Sequence, residues 1–130
     1  EAPMRFEAAA YGTQAANTYK YAIDDHSGLV EIDMQPAFRQ FWHERKSPLA
    51  PANFHLTIAA AVCETAGLVA GKNCLNNVIL SGGVFQNTVL LGMILKMLKK
   101  AGFNVLMHEK LPPNDGSVAL GQAFFAANNL

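Results

Sequence analysis

Val78-Ile79-Leu80-Ser81-Gly82-Gly83-Val84-Phe85-Gln86-Asn87 carries the decisive pattern of the chain: three apolar residues run directly into a serine and paired glycines. A short, wholly apolar run that ends in a glycine turn fits a buried parallel strand leaving its sheet, because strands covered on both faces lose the alternation of half-exposed ones. Downstream, Leu90, Leu91, Ile94, Leu95, Leu98 and Ala101 recur at helical spacing. Lys96, Lys99 and Lys100 lie near the end of that helix, where its dipole favours cations, and Gly102 follows as a left-handed stop. Phe103 to Met107 reads as a second strand. Strand, helix and strand with short connections predict a right-handed βαβ unit whose loop edge holds any ligand.

Outward from this unit the pattern stays apolar. Pro3 to Tyr11 reads as a helix stopped by Gly12, and Asp24-Asp25-His26-Ser27-Gly28 as a turn cluster that breaks regular structure. Leu29, Val30, Ile32 and Met34 fit a short half-exposed strand. Pro36 opens a helix to about Arg45, Pro48 and Pro51 bracket a loop, and Phe54 to Gly71 forms a longer, alanine-rich helix. After Pro112-Pro113-Asn114-Asp115-Gly116-Ser117, residues Val118, Leu120, Ala123, Phe124 and Ala127 share one face of a final helix, expected to close the domain. The dense pattern predicts folded core almost everywhere.

The 130 residues suit one compact domain, residues 1–130, and not two. Lys plus Arg and Asp plus Glu number ten each, so no net field draws the chain to nucleic acid, an anionic membrane or a polyanionic substrate. Cys63 and Cys74 lack Cys-x-x-Cys spacing and read as reduced thiols of a cytoplasmic protein. No run reaches the ~20 apolar residues of a membrane span by this reading. The opening Glu1-Ala2-Pro3 carries no initiator Met, which sets the expectation of a piece of a longer protein.

Chemistry concentrates in two loops. Ser81 to Asn87 lies between a buried strand and a strong helix, where free N–H groups and the helix dipole favour an anion such as phosphate. Gly82 and Gly83 fit a tight strand-to-helix turn equally well, and they make neither a Walker loop nor a Gly-x-Gly-x-x-Gly fingerprint. Asn87 reads first as a helix cap and second as a ligand contact. Asp115 reads first as a turn residue and second as a metal ligand, and one carboxylate does not make a metal site. His26, His43, His55 and His108 are scattered, and none is assigned to a metal. His55, at the start of a helix, reads as a surface or capping residue, and Cys63 as a small core residue. No Ser/His/Asp order or carboxylate pair points to hydrolysis.

Three ordered motifs together go further: Val78 to Asn87, Gly102-Phe103-Asn104-Val105, and Leu111-Pro112-Pro113-Asn114-Asp115-Gly116-Ser117-Val118-Ala119-Leu120-Gly121-Gln122-Ala123. They closely resemble the end of the HypF family of hydrogenase-maturation carbamoyltransferases, and the likeness extends less sharply to Phe54-His55 and to Glu1–Ala10. HypF proteins are similar to the threonylcarbamoyl transferases of tRNA and, remotely, to the actin, Hsp70 and sugar-kinase fold, in which two α/β lobes clasp a nucleotide. The resemblance implies that this chain is the C-terminal lobe of such a domain.

It further implies an enzyme that uses carbamoyl phosphate and ATP, through carbamoyl adenylate, to carbamoylate the C-terminal cysteine of HypE, the carbamoyl group then becoming the cyanide ligand of the [NiFe]-hydrogenase iron. Gly82, Gly83 and Asn87 would contact the nucleotide, and Asp115 would ligate a divalent metal, with Mg, Fe and Zn not distinguished. The family's metal-binding histidine pair and its other domains are not found here, so the chain alone would be incomplete and would need the N-terminal lobe. Two alternatives stay open: half of a threonylcarbamoyl-transferase or kinase-like protein, and a non-catalytic docking module prone to self-association.

Overall fold

The computed structural model describes residues 1–26 and 28–129. Its elements are α1 (Ala2–Ala10), β1 (Ala22–His26), β2 (Leu29–Asp33), α2 (Gln35–Glu44), α3 (Ala50–Asn73), β3 (Asn77–Leu80), α4 (Thr88–Lys100), β4 (Asn104–Met107) and α5 (Val118–Asn129), with short 3-10 turns at Gly83–Gln86 and Asp115–Ser117. β3 and β4 pair in parallel, Val78 opposite Val105, with α4 as the connection between them. The stripe on α4 is buried as its spacing predicts, through Leu90, Ile94 and Leu98, and packs with Leu80 of β3 against Ala59 of α3. A methyl group at position 59 leaves room for the two helices to approach closely. Cys63 borders this core, and burial pushes its thiol pKa up. Gly102 takes φ 88°, the left-handed stop its position implied.

A second core lies under α1 and α2. Tyr19, Ala37 and Phe54 are buried, and Phe6, Met34 and Phe41 pack around them. Phe6 meets Phe41 and Phe54 edge-on, with ring centroids 5.5 and 5.9 Å apart, the geometry aromatic quadrupoles favour. Thr57 joins the two ends of this region: its hydroxyl donates to the Asn53 carbonyl and accepts from the Tyr19 N–H.

Five expectations change. β3 is not the buried strand its apolar run implies: Leu80 is buried against the core but Ile79, which points to the opposite face of the sheet, is 71% exposed. Asp24, Asp25 and His26 are not a turn but the end of β1, which pairs antiparallel with β2, Asp25 opposite Val30 and His26 opposite Leu29; Ser27, also placed in that turn, lies outside the described residues. Pro51 does not bracket a loop; it sits in the first turn of α3, where a missing N–H leaves no hydrogen bond unmade. α3 spans 24 residues with a mean hydropathy of 1.4 over its most apolar window, so it meets the length and composition of a membrane span. It packs against α1, α2, α4 and β2, and its buried residues all lie between Ala50 and Ala61, while Leu68 and Val69 stay exposed.

The fifth correction concerns α5. It contributes no buried residue, and Phe124 and Phe125 are 71% and 69% exposed. The final helix therefore forms as its pattern predicts but does not close the domain, and the core is less pervasive than the hydrophobic density suggests.

Candidate functional site

The parallel strands β3 and β4 end at one edge, and both candidate loops leave from it. Ser81 follows β3 and His108 follows β4, and the Ser81 hydroxyl lies 2.9 Å from the His108 Nε2. Gly82 has φ 109° and ψ 157°, a conformation open in practice only to glycine. A Cβ there would meet no atom within 4 Å, so the backbone, not crowding, demands glycine. This conformation turns the Gly82 N–H toward the Pro113 carbonyl, 2.8 Å away. That bond ties the glycine turn to the Pro-Pro-Asn-Asp loop, and a Cβ on Gly83 would stand 3.8 Å from the Asn114 Cβ.

The second loop is held by its own side chains. The Asn114 Oδ1 accepts from the Gly116 N–H at 3.0 Å, and the Ser117 hydroxyl donates to the Pro112 carbonyl at 2.6 Å. Asp115 opens the 3-10 turn between them and is exposed. Among the described residues no three His, Cys, Asp or Glu side chains gather as an ion-binding group. Among the described residues Asp115 thus offers a single carboxylate that belongs to no such group.

Asn87 ends the glycine turn and caps α4, its Oδ1 accepting from the Leu90 N–H at 2.9 Å. Its amide nitrogen donates to His55 Nε2, also at 2.9 Å. His55 is not a surface residue: it is 2% exposed and stacks on Phe6 with centroids 5.1 Å apart. Its other nitrogen, Nδ1, lies 2.7 Å from the Pro51 carbonyl.

Glu7 is a second residue that sequence reasoning missed. Its Oε1 accepts from both the N–H and the hydroxyl of Thr88, each at 2.7 Å. The Thr88 hydroxyl, then its N–H, holds the carboxyl below the usual range. The first N–H groups of α4 are therefore not free, as the anion reading assumed: a protein carboxylate already occupies the positive end of the helix. The backbone left facing an open groove is that of the Gly83 turn. This groove, of about 370 Å³, is bounded by Pro3, Met4, Glu7, Gly83, Gln86 and Asn87. No local pattern could have linked Glu7 to Thr88 or His55 to Asn87, since each partner is far away along the chain.

A parallel βαβ unit with a glycine turn and an aspartate loop joined at the ends of its strands defines one α/β lobe of the nucleotide-binding kind. The comparisons with known proteins agree. A family model described as "Carbamoyltransferase, Kae1-like Domain, second subdomain" matches residues 1–122. The chain belongs to this family of HypF carbamoyltransferases. It is 29% identical to carbamoyltransferase HypF of Synechocystis sp. over 94% of its own length and 16% of that protein's. It is 32% identical to HypF2 of Cupriavidus necator over 73% of its length and 12% of that protein's.

Among solved structures, full-length HypF in a phosphate- and nucleotide-bound form aligns with a TM-score of 0.86 at 32% identity, covering 98% of this chain and 17% of the other. HypF of T. kodakarensis aligns with a TM-score of 0.74 at 29% identity, again covering 98% and 17%. The chain thus spans about one-sixth of the length of the relatives it matches.

Proposed function

We propose that this chain is the C-terminal lobe of a carbamoyltransferase domain that uses carbamoyl phosphate and ATP, through carbamoyl adenylate, to carbamoylate the C-terminal cysteine of HypE in [NiFe]-hydrogenase maturation. The observation that carries the reading is the alignment over 98% of the chain with a HypF bound to phosphate and nucleotide. The structural counterpart is the bond from Gly82 to Pro113, which draws the glycine turn and the Asp115 loop to one edge.

In this reading Gly82 and Gly83 admit the nucleotide because neither carries a side chain to hold it away from the backbone. Asn87 fixes the far end of the turn, so that the groove keeps its shape when a ligand enters. Transfer joins the carbamoyl carbon to the cysteine sulfur of HypE and breaks its bond to the adenylate oxygen, with AMP leaving. The work of this chain is orientation, and preorganised donors are most effective when nothing must rearrange during the reaction. Asp115 would supply one ligand to a divalent metal, with the remaining ligands from the N-terminal lobe; such a metal would offset phosphate charge.

The chain alone is then inactive and completes its site against the N-terminal lobe. A cytoplasmic location belongs to the same reading. The exposed Phe124 and Phe125 favour a further role for α5 in docking, against that lobe or a second copy. In the protein that carries the whole domain, Asp115→Ala is expected to lower both metal content and carbamoyl transfer to HypE with an unchanged circular dichroism spectrum. Full metal content with unchanged transfer removes Asp115 from the site.

A further inference from the structure

His55 lies in the first third of α3, and the groups that hydrogen-bond to its ring select one tautomer. The Pro51 carbonyl can only accept, so the Nδ1 atom 2.7 Å away carries a proton. On the other side the choice is made by Asn87. Its Oδ1 accepts from the Leu90 N–H, a backbone donor that cannot be reversed, so the atom turned to His55 is the amide nitrogen. That nitrogen donates, and Nε2 must receive the bond with its lone pair. Of the two neutral tautomers, the Nδ1–H form satisfies both contacts, whereas the Nε2–H form sets two donors against one another at Asn87 and two acceptors at Pro51.

The same ring is fixed in its plane by Phe6, against which it stacks with an interplanar angle of 19°. Phe6 belongs to α1, whose next residue, Glu7, holds the N–H and hydroxyl of Thr88. Asn87 and Thr88, the residues at which the glycine turn becomes α4, are therefore gripped from α3 and from α1 at once. His55 touches neither the groove nor Asp115.

We propose that His55 is a positioning residue for the nucleotide-facing turn: as the neutral Nδ1–H tautomer it sets the amide plane of Asn87, and through it the end of the turn that begins at Gly82. The nucleotide clause rests on the reading under Proposed function, while the positioning itself does not. A buried acceptor 32 residues from its donor in sequence is a long-range latch. It makes the geometry of the turn depend on α3, which local glycine and capping preferences alone would not.

Long-range ¹H–¹⁵N imidazole spectra of the uniformly labelled chain at neutral pH test the tautomer. We expect a protonated Nδ1 and an unprotonated Nε2 for His55, and a protonated Nε2 would overturn the proposal. Three variants then separate positioning from packing. His55→Gln offers an acceptor near the place of Nε2, His55→Asn keeps only a donor near Nδ1, and His55→Phe keeps the stack on Phe6. The expected result is that His55→Gln preserves the Asn87 side-chain amide shifts, while His55→Asn and His55→Phe move them. With ATP and Mg²⁺ as probe, in the protein that carries the whole domain, these two variants should weaken the saturable response of Gly83 by about tenfold, as the loss of one buried hydrogen bond implies. Equal behaviour of His55→Gln and His55→Phe would overturn the proposal. Absence of any ATP response in the unsubstituted protein that carries the whole domain would refute the nucleotide reading alone, since the tautomer and the Asn87 shifts decide the positioning role without a ligand.

Discussion

Replacing Gly82 with alanine adds a single methyl group that meets no atom within 4 Å, so its effect comes from the backbone. At φ 109° and ψ 157° a residue bearing Cβ is strained by about 1–3 kcal/mol. Narrowing of the unfolded ensemble offsets roughly 0.4–1 kcal/mol of that, leaving a net loss of about 1–2 kcal/mol. The turn can escape the strain only by rotating, which separates the residue-82 N–H from the Pro113 carbonyl 2.8 Å away at a similar cost of ~1 kcal/mol. Urea unfolding followed by circular dichroism measures the loss, and hydrogen exchange of the residue-82 amide shows whether the bond survives. Gly92→Ala is the control: Gly92 is exposed inside α4, where alanine is favoured by roughly 0.5–1 kcal/mol. Opposite signs for the two substitutions are expected. A Gly82→Ala chain as stable as the parent, with the amide still protected, refutes the reasoning.

Asn87→Ala removes the α4 cap, worth ~1 kcal/mol, and leaves the buried Nε2 of His55 without its donor, a further ~1–3 kcal/mol. A total near 2–4 kcal/mol is expected in urea unfolding, and a loss below about 1 kcal/mol would contradict the shared network. Burial first, and then the hydrogen bond to Glu64, pushes the Tyr21 pKa from 10.0 up to about 12. Because this raised value belongs to the folded state, the associated stability is present below 10.0 and lost as pH rises through about 12. Tyr21→Phe should remove that ionisation step from the ultraviolet titration, and an unchanged titration would count against it. Phe124→Ser should alter unfolding stability by less than ~0.5 kcal/mol, because Phe124 is 71% exposed; a larger loss would mean that α5 packs after all.

The βαβ unit was legible because each of its signals is local: the apolar run of β3, the stripe on α4 and the stop at Gly102 need no distant partner. The β1–β2 hairpin was not, since Asp24, Asp25 and His26 have turn-like chemistry. They are strand residues because Leu29 to Asp33 pairs with the segment Ala22 to His26. The helical form of α5 was legible, but not its exposure: an apolar sequence can fix a helix without fixing which elements, if any, cover it.

At the site, the glycine turn and the cap at Asn87 followed from short-range chemistry. His55 and Glu7 did not. An isolated histidine near a helix start carries no sign of burial, and Glu7 reaches Thr88 from 81 positions away. The resemblance to HypF placed the four candidate residues in loops that the Gly82 to Pro113 bond does bring together. It gave no indication that the positive end of α4 is already occupied by Glu7.

The central claim is that the Gly82–Asn87 turn faces a nucleotide. Because the site is completed by the N-terminal lobe, titrating the ¹⁵N-labelled protein that carries the whole domain with ATP and Mg²⁺ tests it most directly through the backbone amides. The account predicts saturable shifts confined to Gly82, Gly83, Asn87 and their neighbours at the ends of β3 and β4. No shifts at saturating ATP, or shifts centred on α5 instead, would contradict it.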